Sequence, residues 1–229
     1  MTKRGTFIVF EGLDRCGKST QVARLEDSLR EQGHRVRTQK FPDRTTEIGK
    51  MIDAYLKNTA EMDDRAIHLL FSANRWECAS AIERDLKEGM SIIADRYAFS
   101  GIAFSAAKGL PFDWLLTPDR SLPSPDLTLY LTLPTAETSS RQDFGEERYE
   151  SVSMQTRVRE QFGLVRERVE RGNGSTDPNA DAGGKKSGNG EWVEVDASGT
   201  REEVQARIWG VIEPVLEREK GEVGRLWVD

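Results

Sequence analysis

The chain has 229 residues, 37% of them hydrophobic and 8% aromatic, which is enough apolar side chain for one sizeable core. Its 33 Lys and Arg against 39 Asp and Glu leave a net charge of −6, which argues against a dedicated nucleic-acid coat. No apolar run approaches the ~18 residues of a membrane span, the first residues lack a secretory h-region, and Cys16 and Cys78 make neither a disulfide framework nor a zinc site. The expectation is a single soluble domain over residues 1–229 in a reducing compartment, cytoplasmic or nuclear, with no membrane or nucleic-acid partner. Residues 1–44 carry ten Lys/Arg and six Asp/Glu, a local excess of the kind that suits a small anionic ligand in a focused pocket.

Strand and helix patterns alternate. Thr6–Glu11 is a short apolar run ending at Gly12, a buried strand by its composition. Thr20–Gln32 places Val22, Leu25 and Leu29 at helical spacing, with Gly33 as its stop. His34–Phe41 reads as a second strand closed by Pro42, and Glu47–Leu56 as a helix. Asp63 or Asp64 caps a long helix through Ile82 and Leu86 that Gly89 ends. Ser91–Ala94 is a strand whose carboxyl end delivers Asp95-Arg96-Tyr97, followed by a helix near Ala98–Ala107. Asp126–Leu133 is the clearest strand, and Val152–Arg171 an amphipathic helix. Gly172–Gly190, with six Gly, three Asn and no large apolar side chain, reads as a flexible surface insertion. Glu191–Val195 is a last strand, and Thr200 with Glu203 forms a capping box opening a helix through Leu216. Five short strands separated by helices imply an α/β fold with a parallel sheet covered on both faces.

Between the first strand and helix, Gly12-Leu-Asp-Arg-Cys-Gly17-Lys18-Ser19 fits the P-loop pattern G-x4-G-K-[ST]. The glycines let the backbone turn several N–H groups onto an anion, and the helix start adds its positive dipole end. Lys18 supplies a charge for the β- and γ-phosphates, and Ser19 a hydroxyl for Mg²⁺. Such a loop identifies a nucleoside triphosphate without naming the reaction. The chain has no Asn-Lys-x-Asp guanine reader, which sets it apart from GTP switches. Asp95 and Arg96 sit at a strand's carboxyl end, the edge where open α/β sheets bind ligands, so Asp95 can hold the Mg²⁺ water shell while Arg96 reaches phosphate.

With these residues in place, the sequence resembles the thymidylate kinases of the eukaryotic type, within the P-loop nucleoside monophosphate kinases. The matching segments are FEGLDRCGKSTQ (10–21), FPDRTTEIGK (41–50), HLLFSANRWE (68–77), DRYAFSGIAFSAAKG (95–109), LPSPDLTLYL (122–131), FGEERYE (144–150) and VDAS (195–198). The resemblance implies a three-layer P-loop NTPase fold with a short lid at about 141–150, and transfer of phosphate from ATP to dTMP with Mg²⁺, in dTTP synthesis. It also implies a homodimer packed through long helices, for which Asp64–Lys87 is the candidate. The readings kept beside it are a kinase for another pyrimidine monophosphate or a deoxynucleoside, and a non-catalytic P-loop binding protein.

The resemblance also implies roles for the matched residues. Arg15, Lys18, Asp95 and Arg96 would be catalytic, with Arg15 the P-loop arginine on the transferring phosphoryl group and Ser19 and Asp95 at the metal. ATP would meet Gly12, Arg15, Cys16, Gly17, Lys18, Ser19, Thr20, an adenine-stacking Arg141, and Ala197 beside the base. The acceptor would meet Asp14 at its 3′-hydroxyl, Arg44 and Arg96 at its phosphate, Phe71 and Arg75 at thymine, and Phe104 where a 2′-hydroxyl is crowded out. Phe41, Ser100, Gly101, Tyr149 and Gln155 complete that pocket, and Arg148 is matched as a lid residue or a lid ion pair. Phe71 and Arg75 lie four apart and so share a helix face. His34, in a strand, and His68, on the long helix, read as structural, and Cys78 as a buried small hydrophobe. Cys16, beside a helix start and Lys18, is a small spacer or a reactive thiol.

Overall fold

Phe7–Gly12 (β1) is buried at all six positions, as a strand must be when both sheet faces are covered. The computed structural model describes residues 3–134, 147–171 and 190–228. After β1, Lys18–Glu31 (α1), Val36–Lys40 (β2), Glu47–Leu56 (α2), Asp64–Lys87 (α3), Ser91–Asp95 (β3), Ala98–Ala106 (α4) and Phe112–Leu116 (α5) follow in order. A 3₁₀ turn at Thr117–Asp119 leads to Leu127–Thr132 (β4), then Val152–Arg171 (α6), Glu191–Asp196 (β5) and Arg201–Glu217 (α7).

All pairings are parallel, in the order β2-β3-β1-β4-β5. From β1 the chain runs out to the edge at β2, returns to place β3 beside β1, then crosses to add β4 and β5 on the other side; the carboxyl ends of β1 and β3 lie side by side with Phe10 level with Asp95. That edge is the switch point where such sheets bind ligands. On one face, Val22, Leu25 and Leu29 of α1 pack with Val204, Ile208 and Ile212 of α7. On the other, Ile67 and Ile82 of α3, Ile102 of α4 and Val158 and Phe162 of α6 bury the larger cluster. Each fully buried Leu or Ile contributes ~1.5–3 kcal/mol by its removal from water.

Local signals set most boundaries. Asp63 caps α3 by accepting from the Arg65 N–H at 2.8 Å, and Thr200 and Glu203 form the expected capping box on α7. Gly33 and Gly89 take φ of 82° and 84° just past the ends of α1 and α3, a left-handed turn that glycine enters without Cβ strain. Two expectations change. His34 is exposed and precedes β2, which starts at Val36 because pairing with β3 begins only where Val36 meets Ser91. Helix α1 starts at Lys18, two residues earlier than its apolar spacing indicates, because the P-loop passes directly into the helix. The insertion reading falls on residues 172–189, which lie outside the described residues. Among the described residues, no helix is long and apolar enough to cross a membrane.

Candidate active site

The P-loop wraps the carboxyl end of β1. Gly12 has φ 140°, and a Cβ there would lie 2.6 Å from the Leu131 carbonyl oxygen, so only glycine fits between β1 and β4. Gly17 caps α1 at φ 95°. Lys18 folds back over the loop, its Nζ donating to the Leu13 and Gly12 carbonyls at 2.5 and 3.1 Å. Cys16 is buried with Val195 and Leu131 in the core beneath the loop, with Lys18 Nζ 3.5 Å from its Sγ, which supports the spacer role. Ser19 Oγ donates to Asp95 Oδ2 at 2.5 Å, placing a hydroxyl from the first turn of α1 and a carboxylate from the end of β3 at one point.

A cavity of about 630 Å³ opens in front of this edge. Its lining takes in Asp14, Arg15, Gly17, Lys18, Ser19, Thr20, Asp95 and Arg96 from the P-loop, α1 and the end of β3. Phe41, Arg44, Phe71, Arg75, Ser100, Gly101, Phe104 and Tyr149 line it as well. Gly12 and Cys16 contribute to the loop behind the wall. Ala197 is buried at the end of β5, its N–H bonded to the Thr132 carbonyl at 2.8 Å, and stays outside the lining. Arg141 lies outside the described residues.

Arg15 and Arg96 both hold left-handed backbone, at φ 61° and 68°. A non-glycine residue there carries strain of ~1–3 kcal/mol, which the surrounding bonds must offset. For Arg96 those bonds are dense. Its Nη1 donates to Ser100 Oγ and the Gly12 carbonyl, each at 3.0 Å, and Nη2 pairs with Asp14 Oδ1. Burial opposes its charge, but the carboxylates of Asp14, Glu11 and Asp95 outweigh that and raise its pKa, so Arg96 is a permanent cation. Arg15 pairs with Glu150 at 2.9 Å, and Arg44 with Asp53 at 2.6 Å and Glu147 at 2.8 Å.

Part of the lining is aromatic with fixed polar edges. Phe104 packs between the Arg96 guanidinium, 5.4 Å from its centroid, and the Tyr149 ring at 5.2 Å. Burial raises the Tyr149 phenol well above its usual range, keeping it neutral. Phe41 is buried against the Tyr97 ring. Arg75 is nearly sealed from solvent and pairs with Asp119 at 2.6 Å, while Gly101 leaves room for it: a Cβ there would lie 2.9 Å from Arg75 Nη1. Gln155, outside the lining, reaches in from α6 to hold Asp14. Arg148 covers the Tyr55 ring at 4.1 Å and pairs with Glu61 at 2.6 Å, an ion pair that ties the segment before α6 to the chain after α2.

Several participants carry no sequence signal beyond their type. Glu11 is fully buried behind the site, where it accepts from the Tyr97 and Ser100 N–H groups at 2.9 and 3.0 Å and from the Ser100 hydroxyl. Burial pushes its carboxyl up, against the Arg96 charge and these hydrogen bonds, which favour ionisation. A carboxylate closing an apolar strand run was its one visible clue. Lys108, which bonds Asp64 at 2.7 Å and lies 5.5 Å from the Tyr149 ring centroid, had none. His68 is structural as expected, with Nε2 donating to the Leu115 carbonyl and Nδ1 accepting from Ser105 Oγ. Burial brings its pKa down to about 4. Cys78 is only partly buried, at the edge of the larger core, because α3 turns that face toward the surface.

The family model described as thymidylate kinase matches residues 10–173. A thymidylate kinase of Schizosaccharomyces pombe is 46% identical over 213 residues, 93% of each chain. That of Homo sapiens is 48% identical over 157 residues, 68% of this chain and 74% of its own. The solved structure of the Candida albicans thymidylate kinase superposes with a TM-score of 0.79 at 37% identity, covering 99% of this chain and all of that one. By motif, fold and relatives alike, the chain belongs to the thymidylate kinase family.

Proposed function

We propose that the protein transfers the terminal phosphoryl group of ATP directly to dTMP, giving ADP and dTDP for dTTP synthesis. The observation that carries this reading is that one cavity is lined by the P-loop residues Arg15, Lys18 and Ser19 together with Arg96, Phe71, Arg75 and Phe104. Membership of the thymidylate kinase family supports the same reaction.

The acceptor is a phosphate oxygen, already ionised near neutral pH because a monoester's second pKa is ~6, so no strong base is needed. The work is positioning and charge neutralisation. Lys18 and Arg15 would neutralise the transferring group, and Arg96 and Arg44 would hold the acceptor phosphate through planar, bidentate contacts. Phe71 offers a stacking face for the base and Asp14 an acceptor for the sugar hydroxyl. Phe104, wedged between Arg96 and Tyr149, leaves little freedom beside the sugar. Ser19 and Asp95 present hard oxygen donors that fit Mg²⁺, and the bound ion would neutralise charge on the β- and γ-phosphates. Arg15, tied to the lid's end through Glu150, would enter the site as the lid shuts out competing water.

We further propose a homodimer through α3, whose Leu69 and Trp76, seven residues apart on one face, are 47% and 41% exposed. Light scattering is expected to give twice the chain mass, with Leu69→Glu and Trp76→Glu together returning one chain mass; a monomeric wild type contradicts this.

The activity is tested by ADP release with ATP and Mg²⁺ against dTMP, dUMP, UMP, CMP, dCMP, AMP, GMP and thymidine. The highest kcat/KM is expected for dTMP. Preference for another acceptor, or ADP release that needs none, overturns the assignment.

A further inference from the structure

Asp119 ends the 3₁₀ turn before β4, and its carboxylate is completely buried against α3. Oδ1 accepts from Arg75 Nε at 3.0 Å and from Ser72 Oγ at 2.7 Å, while Oδ2 accepts from Arg75 Nη2 at 2.6 Å. The pair is therefore the side-on, two-bond arrangement that fixes a guanidinium in plane as well as in place. The turn itself is stapled to α3, because the Pro118 carbonyl accepts from Trp76 Nε1 at 2.8 Å and shares the Ser72 hydroxyl proton, 2.9 Å from its Oγ, with Asp119.

With Nε and Nη2 committed to Asp119, Nη1 is the only guanidinium nitrogen of Arg75 that bonds nothing among the described residues. Arg75 lines the cavity with Phe71 and Gly101 as neighbours. Gly101 backs the same head group without a side chain: a Cβ added there would come 2.9 Å from Nη1 and 3.0 Å from Nη2, so glycine is what lets the guanidinium sit this close to α4. The head group has one orientation left to it.

We infer that Asp119 is a specificity-determining positioning residue, which locks Arg75 so that Nη1 alone is offered to the acceptor's base. This rests on the reading of the cavity as a nucleoside monophosphate site. A guanidinium carries donors and no acceptor. A base with a ring carbonyl facing Nη1 completes the bond, whereas one with an amino group there sets donor against donor. A guanidinium free to swing would relieve that conflict, and a locked one cannot. Asp119 thereby turns a flexible side chain into a reader of carbonyl against amino, thymine or uracil against cytosine, without touching the substrate.

The test compares Asp119→Asn with wild type by steady-state kinetics on dTMP and dCMP, with ATP KM measured alongside. Asparagine has one acceptor oxygen and an amide that cannot accept from Nη2, so Arg75 loses its second anchor. The expected result is a rise of about tenfold or more in dTMP KM, kcat within about threefold, unchanged ATP KM, and a dTMP-over-dCMP preference reduced about tenfold. In the Arg75→Ala background the same substitution is expected to add less than about twofold, since the two act as one unit. An unchanged preference, or a loss shared equally by kcat and both KM values, overturns the inference. If Asp119→Asn does not fold, Ser72→Ala removes a donor that anchors Asp119: a preference reduced about threefold supports the inference, and an unchanged one overturns it. Wild type that does not turn over dTMP contradicts the activity and the inference together; wild type that does, beside a variant of unaltered preference, contradicts the inference alone.

Discussion

Gln155 grips Asp14 from two sides. Its Oε1 accepts the Asp14 N–H at 3.0 Å and its Nε2 donates to Asp14 Oδ2 at 2.7 Å, across 141 residues of sequence. The same Nε2 also donates to the Tyr149 carbonyl at 2.9 Å, so one buried amide on α6 joins the P-loop to the segment just before that helix. Asp14 in turn pairs with Arg96, which makes Gln155 the anchor of a chain that ends at the Arg96 guanidinium.

Replacing Gln155 by Glu keeps the shape but turns the donor into a second carboxylate against Asp14. Leaving such buried groups unpaired costs ~1–3 kcal/mol. Thermal unfolding is expected to drop by several degrees and dTMP KM to rise, with ATP KM nearly unchanged. Wild-type melting and kinetics in Gln155→Glu would contradict the anchoring role.

Under the proposed reaction, Arg15, which lines the cavity, stabilises charge that develops during transfer. Arg15→Ala is expected to lower kcat by roughly 10³-fold, the scale of an arginine supplied in cis, while dTMP KM changes little. Rapid-quench measurement of a single turnover separates this from slowed product release. A kcat within tenfold of wild type would remove Arg15 from the reacting centre.

His68 makes stability depend on pH. Its folded pKa of about 4 lies below the unfolded value near ~6.5, so the unfolded chain binds more protons between those limits. The contribution is fully present above pH ~6.5 and is lost as pH falls toward 4, amounting to about 2 kcal/mol by pH 5. Burial is the main cause, with the Arg75 charge adding to it. Urea melts of wild type and His68→Gln at pH 7 and pH 5 isolate this term from the carboxylates, which titrate in both proteins. The expected outcome is a smaller loss on acidification in the variant; equal losses would contradict it.

Gly49 lies under the loop that presents Arg44. A Cβ there would sit 1.8 Å from the Asp43 carbonyl oxygen and 2.9 Å from the Arg44 Cα, both backbone atoms. Gly49→Ala must therefore displace the loop, with a stability cost of ~1–3 kcal/mol from overpacking. A raised dTMP KM with kcat largely preserved is expected. Kinetics and melting matching wild type would show that the loop tolerates the shift.

What could be read in advance was local. The P-loop declares itself within eight residues because a phosphate cradle needs its glycines, lysine and serine in one turn. The Thr200–Glu203 box and the Val22, Leu25 and Leu29 stripe are likewise short-range consequences of helix geometry. Phe71 and Arg75 share a face for the same reason, so two of the residues that line the cavity were visible from spacing and resemblance. Asp119 was not, because its partner is 44 residues away and nothing in Thr-Pro-Asp separates a buried carboxylate from a turn residue. Glu11 and Gln155 were hidden in the same way: only the parallel sheet brings the end of β1 against the start of α4, and α6 against the P-loop. His34 was misplaced because a strand's start depends on its partner's register as well as on its own composition.

The most direct test of the central claim is the stoichiometry of products, read by chromatography after incubating the protein with ATP, Mg²⁺ and dTMP. Direct transfer predicts dTDP and ADP in equal amounts, neither formed without dTMP. ADP appearing without dTDP, or at the same rate when dTMP is omitted, would contradict it.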